Sequence, residues 1–172
     1  MSVQQEGAVR DRSGRLPLRL REQIIGAWDL VSYTDTDENG KTSHPMGKDA
    51  TGILLYTPDG YMSAQVMVAG RAAYASGDRH QGTAKEEKAA LEGYVAYAGP
   101  FYVDEETGRV GHRMSVSLFP NSLADLQERD VEVDGDRLTL SSDPVASHGK
   151  VRSSRLVWKR AQPNLEAGFP DE

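Results

Sequence analysis

Asp134-Gly135-Asp136 lies between two runs of alternating apolar and polar residues, 126–133 and 137–141. An Asp-Gly step readily takes up positive φ, so it reverses a chain within two residues and commits the flanking runs to antiparallel pairing. The same punctuation recurs along the chain. Pro58-Asp59-Gly60 separates 52–57 from 61–68, and Glu105-Glu106-Thr107-Gly108 separates 99–104 from 109–119. A first β-rich run, 27–34, ends in the polar loop 36–40, and 151–160 closes the series. About eight short strands result, most of them joined to the next by a local turn, which describes an antiparallel meander. Such a sheet must deal with its two free edges. Closure into an eight-stranded up-and-down barrel removes them and can enclose one small ligand. A two-sheet sandwich competes, but it needs Greek-key crossings that the local connections do not call for.

One segment departs from the strand pattern. Residues 83–96 read as a helix at the barrel rim, with Thr83 and Glu86 in capping-box spacing and Ala84, Lys88, Leu91 and Val95 along one side. The Gly/Ala/Ser-rich stretch 70–82 before it is longer than a simple connection requires, which suits a lid or a rim. The termini differ from the body. Residues 1–21 hold five arginines against Glu6 and Asp11, although the 172-residue chain carries a net charge of −6. They read as a basic flexible leader, or as a lid over the acidic body. The barrel domain is expected over 22–161, and 162–172 reads as a flexible tail.

Composition excludes several classes of function. The acidic balance disfavours binding to a phosphate backbone. There is no cysteine, hence no disulfide, thiolate metal site or cysteine nucleophile. No apolar run reaches the ~18 residues of a membrane helix, and no apolar segment marks a signal peptide, so a cytoplasmic protein is expected. His44, His80, His112 and His148 are scattered without ligand spacing, so no metal is expected. Neither a Gly-rich dinucleotide turn, a phosphate loop nor a Gly-x-Ser-x-Gly elbow is present, so no cofactor is expected either.

Strand alternation nominates the residues that face the barrel interior. In 109–119 the more apolar set is Val110, His112, Met114, Val116 and Leu118; in 126–133 it is Gln127, Arg129, Val131 and Val133. A histidine and an arginine turned inward are costly unless paired or put to use. His112 is either a satisfied core imidazole or a proton donor and acceptor. Arg129 is either the structural partner of a carboxylate or an anchor for a ligand oxygen. Tyr61 and Tyr97 are candidate hydrogen-bonding groups, and Met114, Val116 and Val131 candidate apolar walls, each also readable as ordinary strand filling. Trp28 and Arg160, near the first and last strand ends, read as a stacked plug at one end of the barrel.

Several quoted segments then support a family comparison. Gly26-Ala27-Trp28, continuing to Tyr33, the segment 52–64 around Pro58-Asp59-Gly60, Tyr97-Ala98-Gly99-Pro100-Phe101-Tyr102, Val110-Gly111-His112, Phe119-Pro120-Asn121, Arg129, the 134–140 hairpin and Trp158-Lys159-Arg160 together resemble the lipocalin-like domain family of bacteria and fungi. The resemblance implies an eight-stranded calyx around a small hydrophobic, polyketide-like molecule. Similar barrels beside secondary-metabolite genes act as cofactor-independent cyclases or isomerases. On that footing His112 is the acid/base, Arg129 the oxyanion or carboxylate anchor, and the cavity folds the substrate into a reactive shape. A non-catalytic carrier of a hydrophobic ligand is the alternative. A barrel filled by its own side chains is a third reading. No nucleic-acid or membrane partner is expected, and a homodimer stays open. The lack of cysteine fits a cytosolic rather than a secreted version of the barrel.

Overall fold

A computed structural model describes residues 18–147 and 149–165. The elements run α1 (Leu20–Ile24), β1 (Gly26–Asp37), β2 (Thr42–Ser43), β3 (Thr51–Tyr56), β4 (Tyr61–Met67), α2 (Ala84–Glu92), β5 (Tyr94–Asp104), β6 (Arg109–Arg113), β7 (Val116–Ser117), β8 (Leu126–Asp134), β9 (Arg137–Ser141), β10 (Val145–Ser147) and β11 (Lys150–Arg160). Eight of these strands form the wall, in the order β1-β3-β4-β5-β6-β8-β9-β11, and β11 returns to pair with β1. The result is a closed antiparallel barrel. The short strands β2, β7 and β10 extend its rim alongside β1, β5 and β11.

The turns foreseen in the sequence all fall where the wall reverses. Gly60 and Gly135 take positive φ, at 98° and 56°, the first in the three-residue loop 58–60 and the second in the two-residue loop 135–136. Together with the 105–108 turn, they lie at the end of the barrel where β1 begins and β11 finishes. That end is closed by packing. Ile24 is fully buried beneath Trp28, whose indole N–H donates to the Ile24 carbonyl at 2.8 Å. The Arg160 guanidinium stacks on the Trp28 ring at 4.0 Å and donates to the carbonyls of Ile25 and Gln23 at 3.0 and 2.8 Å. Glu105 accepts from the backbone N–H groups of Leu20 and Arg21 at 2.7 and 3.1 Å. Residues 18–21 of the expected leader or lid therefore belong to the closed end, and residues 1–17 lie outside the described residues. The same holds for 166–172 of the expected tail.

Two sequence expectations need correction. The helix stops earlier than expected: α2 ends at Glu92, with Gly93 closing it through bonds to Ala89 and Leu91, and residues 94–96 pair with β4 instead. The capping box at its start does form, with Thr83 N–H donating to Glu86 at 2.7 Å. α2 covers no core, whereas Val95 and Tyr97 gain burial only as strand residues, so packing overrides the helical spacing.

The second correction concerns residues 109–119, which do not form one continuous strand. Phe101 faces His112, yet four residues earlier on β5 Tyr97 faces Ser117, five residues later on the other side. One extra residue is thus accommodated between β6 and β7, a bulge that exchanges the two faces beyond it. Gly99 makes room for it: a Cβ there would lie 1.9 Å from the Arg113 carbonyl oxygen and 2.8 Å from the Ser115 nitrogen. Val116, expected inside, is consequently turned out and 62% exposed.

This close approach predicts an asymmetry between two glycines. Gly99→Ala is expected to lower unfolding stability in urea by on the order of 3 kcal/mol, since backbone rather than a side chain must move. Gly111→Ala, whose Cβ would meet only the side chain of Leu126 at 3.1 Å, is expected to cost less than about 1 kcal/mol. Equal losses would show that the bulge does not depend on Gly99.

Candidate functional site

The closed half of the barrel is filled by Trp28, Tyr56, Met62, Phe101, Val110 and Leu138, all buried. Space remains in the other half. A cavity of about 90 Å³ is lined by Tyr33, Leu54, Ala64, Val66, Val95, Tyr97, Gln127, Arg129, Leu140, Leu156 and Trp158. Every wall strand except β6 contributes to it, and β9 does so through Leu140. Its volume is below the 150 Å³ or so of an apolar cavity that holds benzene, and well below the several hundred of a typical ligand site.

Larger concavities lie outside the barrel. One of about 610 Å³ runs between the 68–79 loop and α2, and one of about 340 Å³ lies along Tyr102, Gly111 and Leu126 on the outer wall. In the first, Glu86 and Arg71 already have partners. Glu86 accepts from the Ala75 and Thr83 N–H groups, and Arg71 donates to the Ala90 carbonyl while lying over the Tyr94 ring. The long loop is thereby tied to α2. Convergent polar atoms without partners occur inside the barrel, and the interior is the better candidate site for that reason.

The sequence-nominated residues divide into three groups. Arg129 and Tyr97 line the cavity, and Val131 packs against the neighbouring core. His112 and Met114 are buried, 1% and 5% exposed, but neither lines the cavity. Tyr61 and Val116 sit on the outside. Tyr61 is 56% exposed because, in the register of β4, Met62, Ala64 and Val66 take the inward positions. Val116 is displaced by the bulge described above. Sequence reasoning missed Gln127 and Trp158 as site residues. Gln127 was legible in the inward set of its strand, but Trp158 shares its Trp-x-Arg setting with the closed-end plug.

His112 is held in the packed half. Its Nε2 and the Tyr56 hydroxyl are 2.7 Å apart, and the rings of Tyr56 and Tyr97 lie 5.6 and 6.1 Å from it. Burial, aided by the positive charge of Arg129, lowers its pKa to about 3, so the imidazole is neutral. Burial likewise raises the phenols of Tyr33, Tyr56 and Tyr97, against the opposing charge of Arg129. Arg129 donates to the carbonyl of Glu128 at 2.8 Å. Among the described residues no carboxylate pairs with it, so the expectation of a structural ion pair is not met.

Three buried polar atoms have no partner among the described residues and bear on this region: His112 Nδ1, Gln127 Oε1 and Trp158 Nε1. His112 and Gln127 are register partners on β6 and β8. Gln127 and Trp158 both line the cavity. No grouping of three or more His, Asp or Glu side chains suited to a metal occurs among the described residues, and none of their helices is long and apolar enough to cross a membrane.

The chain has recognisable relatives. A model of the lipocalin-like domain family matches residues 25–161. The 4'-hydroxy-3'-methoxypropiophenone carrier protein ppsC of Aspergillus oryzae (strain ATCC 42149 / RIB 40) is 36% identical over 106 residues, which cover 58% of this chain and 96% of that protein. Among solved structures, a lipocalin-like protein from Bacteroides uniformis ATCC 8492 matches at 12% identity over 81% of this chain and 99% of its own, with a TM-score of 0.41.

The neutral, buried His112 makes stability acid-sensitive. Its unfolded-state pKa is near 6.5, above the folded value of about 3, so the unfolded chain binds the extra proton between them. Stability from this group is fully present above about pH 6.5 and is lost as the pH falls toward 3. Between pH 7 and pH 5 the loss is on the order of 2 kcal/mol. Urea unfolding at both pH values should show this loss in the wild type and a much smaller one in His112→Gln. An equal loss in both proteins would mean that His112 is not the responsible group.

Proposed function

The chain belongs to the lipocalin-like domain family, and from that premise we propose that it binds a small, mostly apolar organic molecule inside the barrel and carries it without transforming it. The observation that carries this reading is the interior cavity itself: apolar walls from Leu54, Ala64, Val66, Val95, Leu140 and Leu156, and two lining residues, Gln127 and Trp158, that each carry an unpartnered buried polar atom. An empty apolar cavity costs stability, and unpartnered polar atoms add to that cost, so a filled barrel without a ligand would be expected to lack both. The similarity to ppsC, named as the carrier of an aromatic ketone, supports the same class of ligand.

Cyclisation or isomerisation of a polyketide-like substrate, the other function expected from the sequence, asks more of the site. An acid/base at neutral pH needs a pKa near the working pH and contact with the substrate. His112 has neither: burial holds its pKa far below neutrality, its Nε2 is engaged by Tyr56, and it lies behind the cavity wall. The carrier reading needs no such group. It needs the cavity to enlarge, and Arg129 is the wall best suited to move. This half-buried side chain makes a hydrogen bond to the adjacent backbone carbonyl and no ion pair among the described residues. Shifting it toward the cavity mouth opens the lumen at no cost in buried ion pairing and keeps its charge beside the ligand.

Titration with 4'-hydroxy-3'-methoxypropiophenone, followed by tryptophan fluorescence, is expected to quench Trp158 with a dissociation constant on the order of 10 μM. Ala64→Leu, which fills the cavity from the β4 side, should weaken binding at least about tenfold. NMR spectra of the ligand should be identical before and after prolonged incubation with the protein. Conversion of the ligand would restore the cyclase or isomerase reading, and absence of binding would remove the carrier reading.

A further inference from the structure

We infer that the cavity selects a small aromatic molecule carrying a carbonyl at one end and a hydroxyl at the other, with the Trp158 indole N–H donating to the carbonyl and Gln127 Oε1 accepting from the hydroxyl. This specificity rests on the carrier reading and goes beyond it in assigning recognition to two residues. Trp158 is 1% exposed, and its Nε1 has no hydrogen-bond partner among the described residues; the Gln127 oxygen is likewise buried and alone. Both residues line the cavity. An indole nitrogen is only a donor and a side-chain amide oxygen only an acceptor, so the complementary ligand must supply one acceptor and one donor.

The placement of the two residues sets those groups apart on the ligand. Trp158 is on β11 and Gln127 on β8, with β9 between them in the wall. They are also offset along the wall: Trp158 pairs with Leu138, which pairs with Val133, six residues along β8 from Gln127, roughly 20 Å of backbone that the two side chains shorten by reaching into the same cavity. A benzene ring with para substituents holds its acceptor and its donor at opposite ends, as that offset asks. Tyr33, Tyr97 and the Trp158 indole supply aromatic faces for the ring. The burial-raised phenols of Tyr33 and Tyr97 remain neutral and leave Arg129 as the charge at the cavity. An unpaired guanidinium favours oxygen-bearing ligands and disfavours amines, which are cationic.

The test uses four probes of similar size and isothermal titration calorimetry on the full chain. 4-Hydroxyacetophenone carries both groups, 4-ethylphenol lacks the carbonyl, 4-methylacetophenone lacks the hydroxyl, and 4-ethyltoluene lacks both. Affinity should fall about tenfold or more on losing either group, because each loss strands a buried polar atom of the protein. In Trp158→Phe the penalty for losing the carbonyl should disappear while that for the hydroxyl stays; Gln127→Leu should do the reverse. Should either variant fail to fold, the wild-type series decides alone. Equal binding of 4-ethyltoluene and 4-hydroxyacetophenone overturns the polar recognition and leaves the carrier reading standing. Binding of none of the four overturns both. A penalty that persists in the matching variant overturns the assignment of that residue.

Discussion

The pairing of β1 with β11 is the constraint on which the rest of the molecule depends. Without it the meander is an open sheet with two exposed edges, and its inward residues have no enclosed space to share. The register runs from Trp28 opposite Arg160 to Asp37 opposite Arg152, with an irregularity at Val31. The first of these pairs also makes the stacked contact between guanidinium and indole. The same guanidinium reaches past the ring to the carbonyls of Gln23 and Ile25, at the C-terminal end of α1, where helix carbonyls lack intrahelical partners and a cation is favoured. One side chain thus joins sheet closure, the ring that fills the closed half and the short helix that seals it.

That arrangement decides where a ligand can lie. With Ile24, Trp28, Met62, Phe101 and Leu138 filling one half, unoccupied volume is confined to the other, between Leu54 and Leu156. It also separates two kinds of buried polar group. His112 is in the filled half, opposite Phe101 in the register and hydrogen-bonded to Tyr56, where its protonation is opposed by burial and by Arg129. Gln127 and Trp158 face the open volume. Charge at the cavity comes from Arg129, whose guanidinium has no carboxylate to neutralise it among the described residues. The histidine that draws attention in the sequence is therefore part of the scaffold, and the residues suited to recognition are a neutral amide and an indole.

Much of the fold was legible because its determinants are local. Asp134-Gly135-Asp136 and Pro58-Asp59-Gly60 set their hairpins by backbone preference alone, and period-two alternation placed Gln127, Arg129, Val131 and Val133 inside. The failures occur where a non-local contact decides. Nothing in residues 109–119 announces an extra residue between Arg113 and Val116; the bulge exists because Gly99, on another strand, leaves room for the Arg113 carbonyl. Tyr61 was misplaced for a related reason. Its run alternates two mixed sets, and the inward choice follows from pairing with Gly99 and Tyr97 rather than from its own hydrophobicity. The end of α2 depends on β4 competing for residues 94–96. Trp158 was hidden by its resemblance to Trp28, since a sequence does not show which of two buried indoles has a carbonyl within reach.

The difference between the two tryptophans carries the functional argument. Both are essentially inaccessible to solvent and belong to the same core, so burial alone does not distinguish them. Trp28 finds the Ile24 carbonyl, because the chain returns over the closed end as α1. No described group accepts a hydrogen bond from the Nε1 of Trp158, although an unmet buried N–H costs on the order of 1–3 kcal/mol and Phe would be buried there without it. Retaining an indole where a phenyl would serve packing makes sense if the N–H is satisfied part of the time by something that is not protein. A molecule small enough to enter beside Arg129, and bearing an acceptor, meets that requirement. The scaffold that closes one end so firmly leaves the residue that carries this donor lining the half it does not fill.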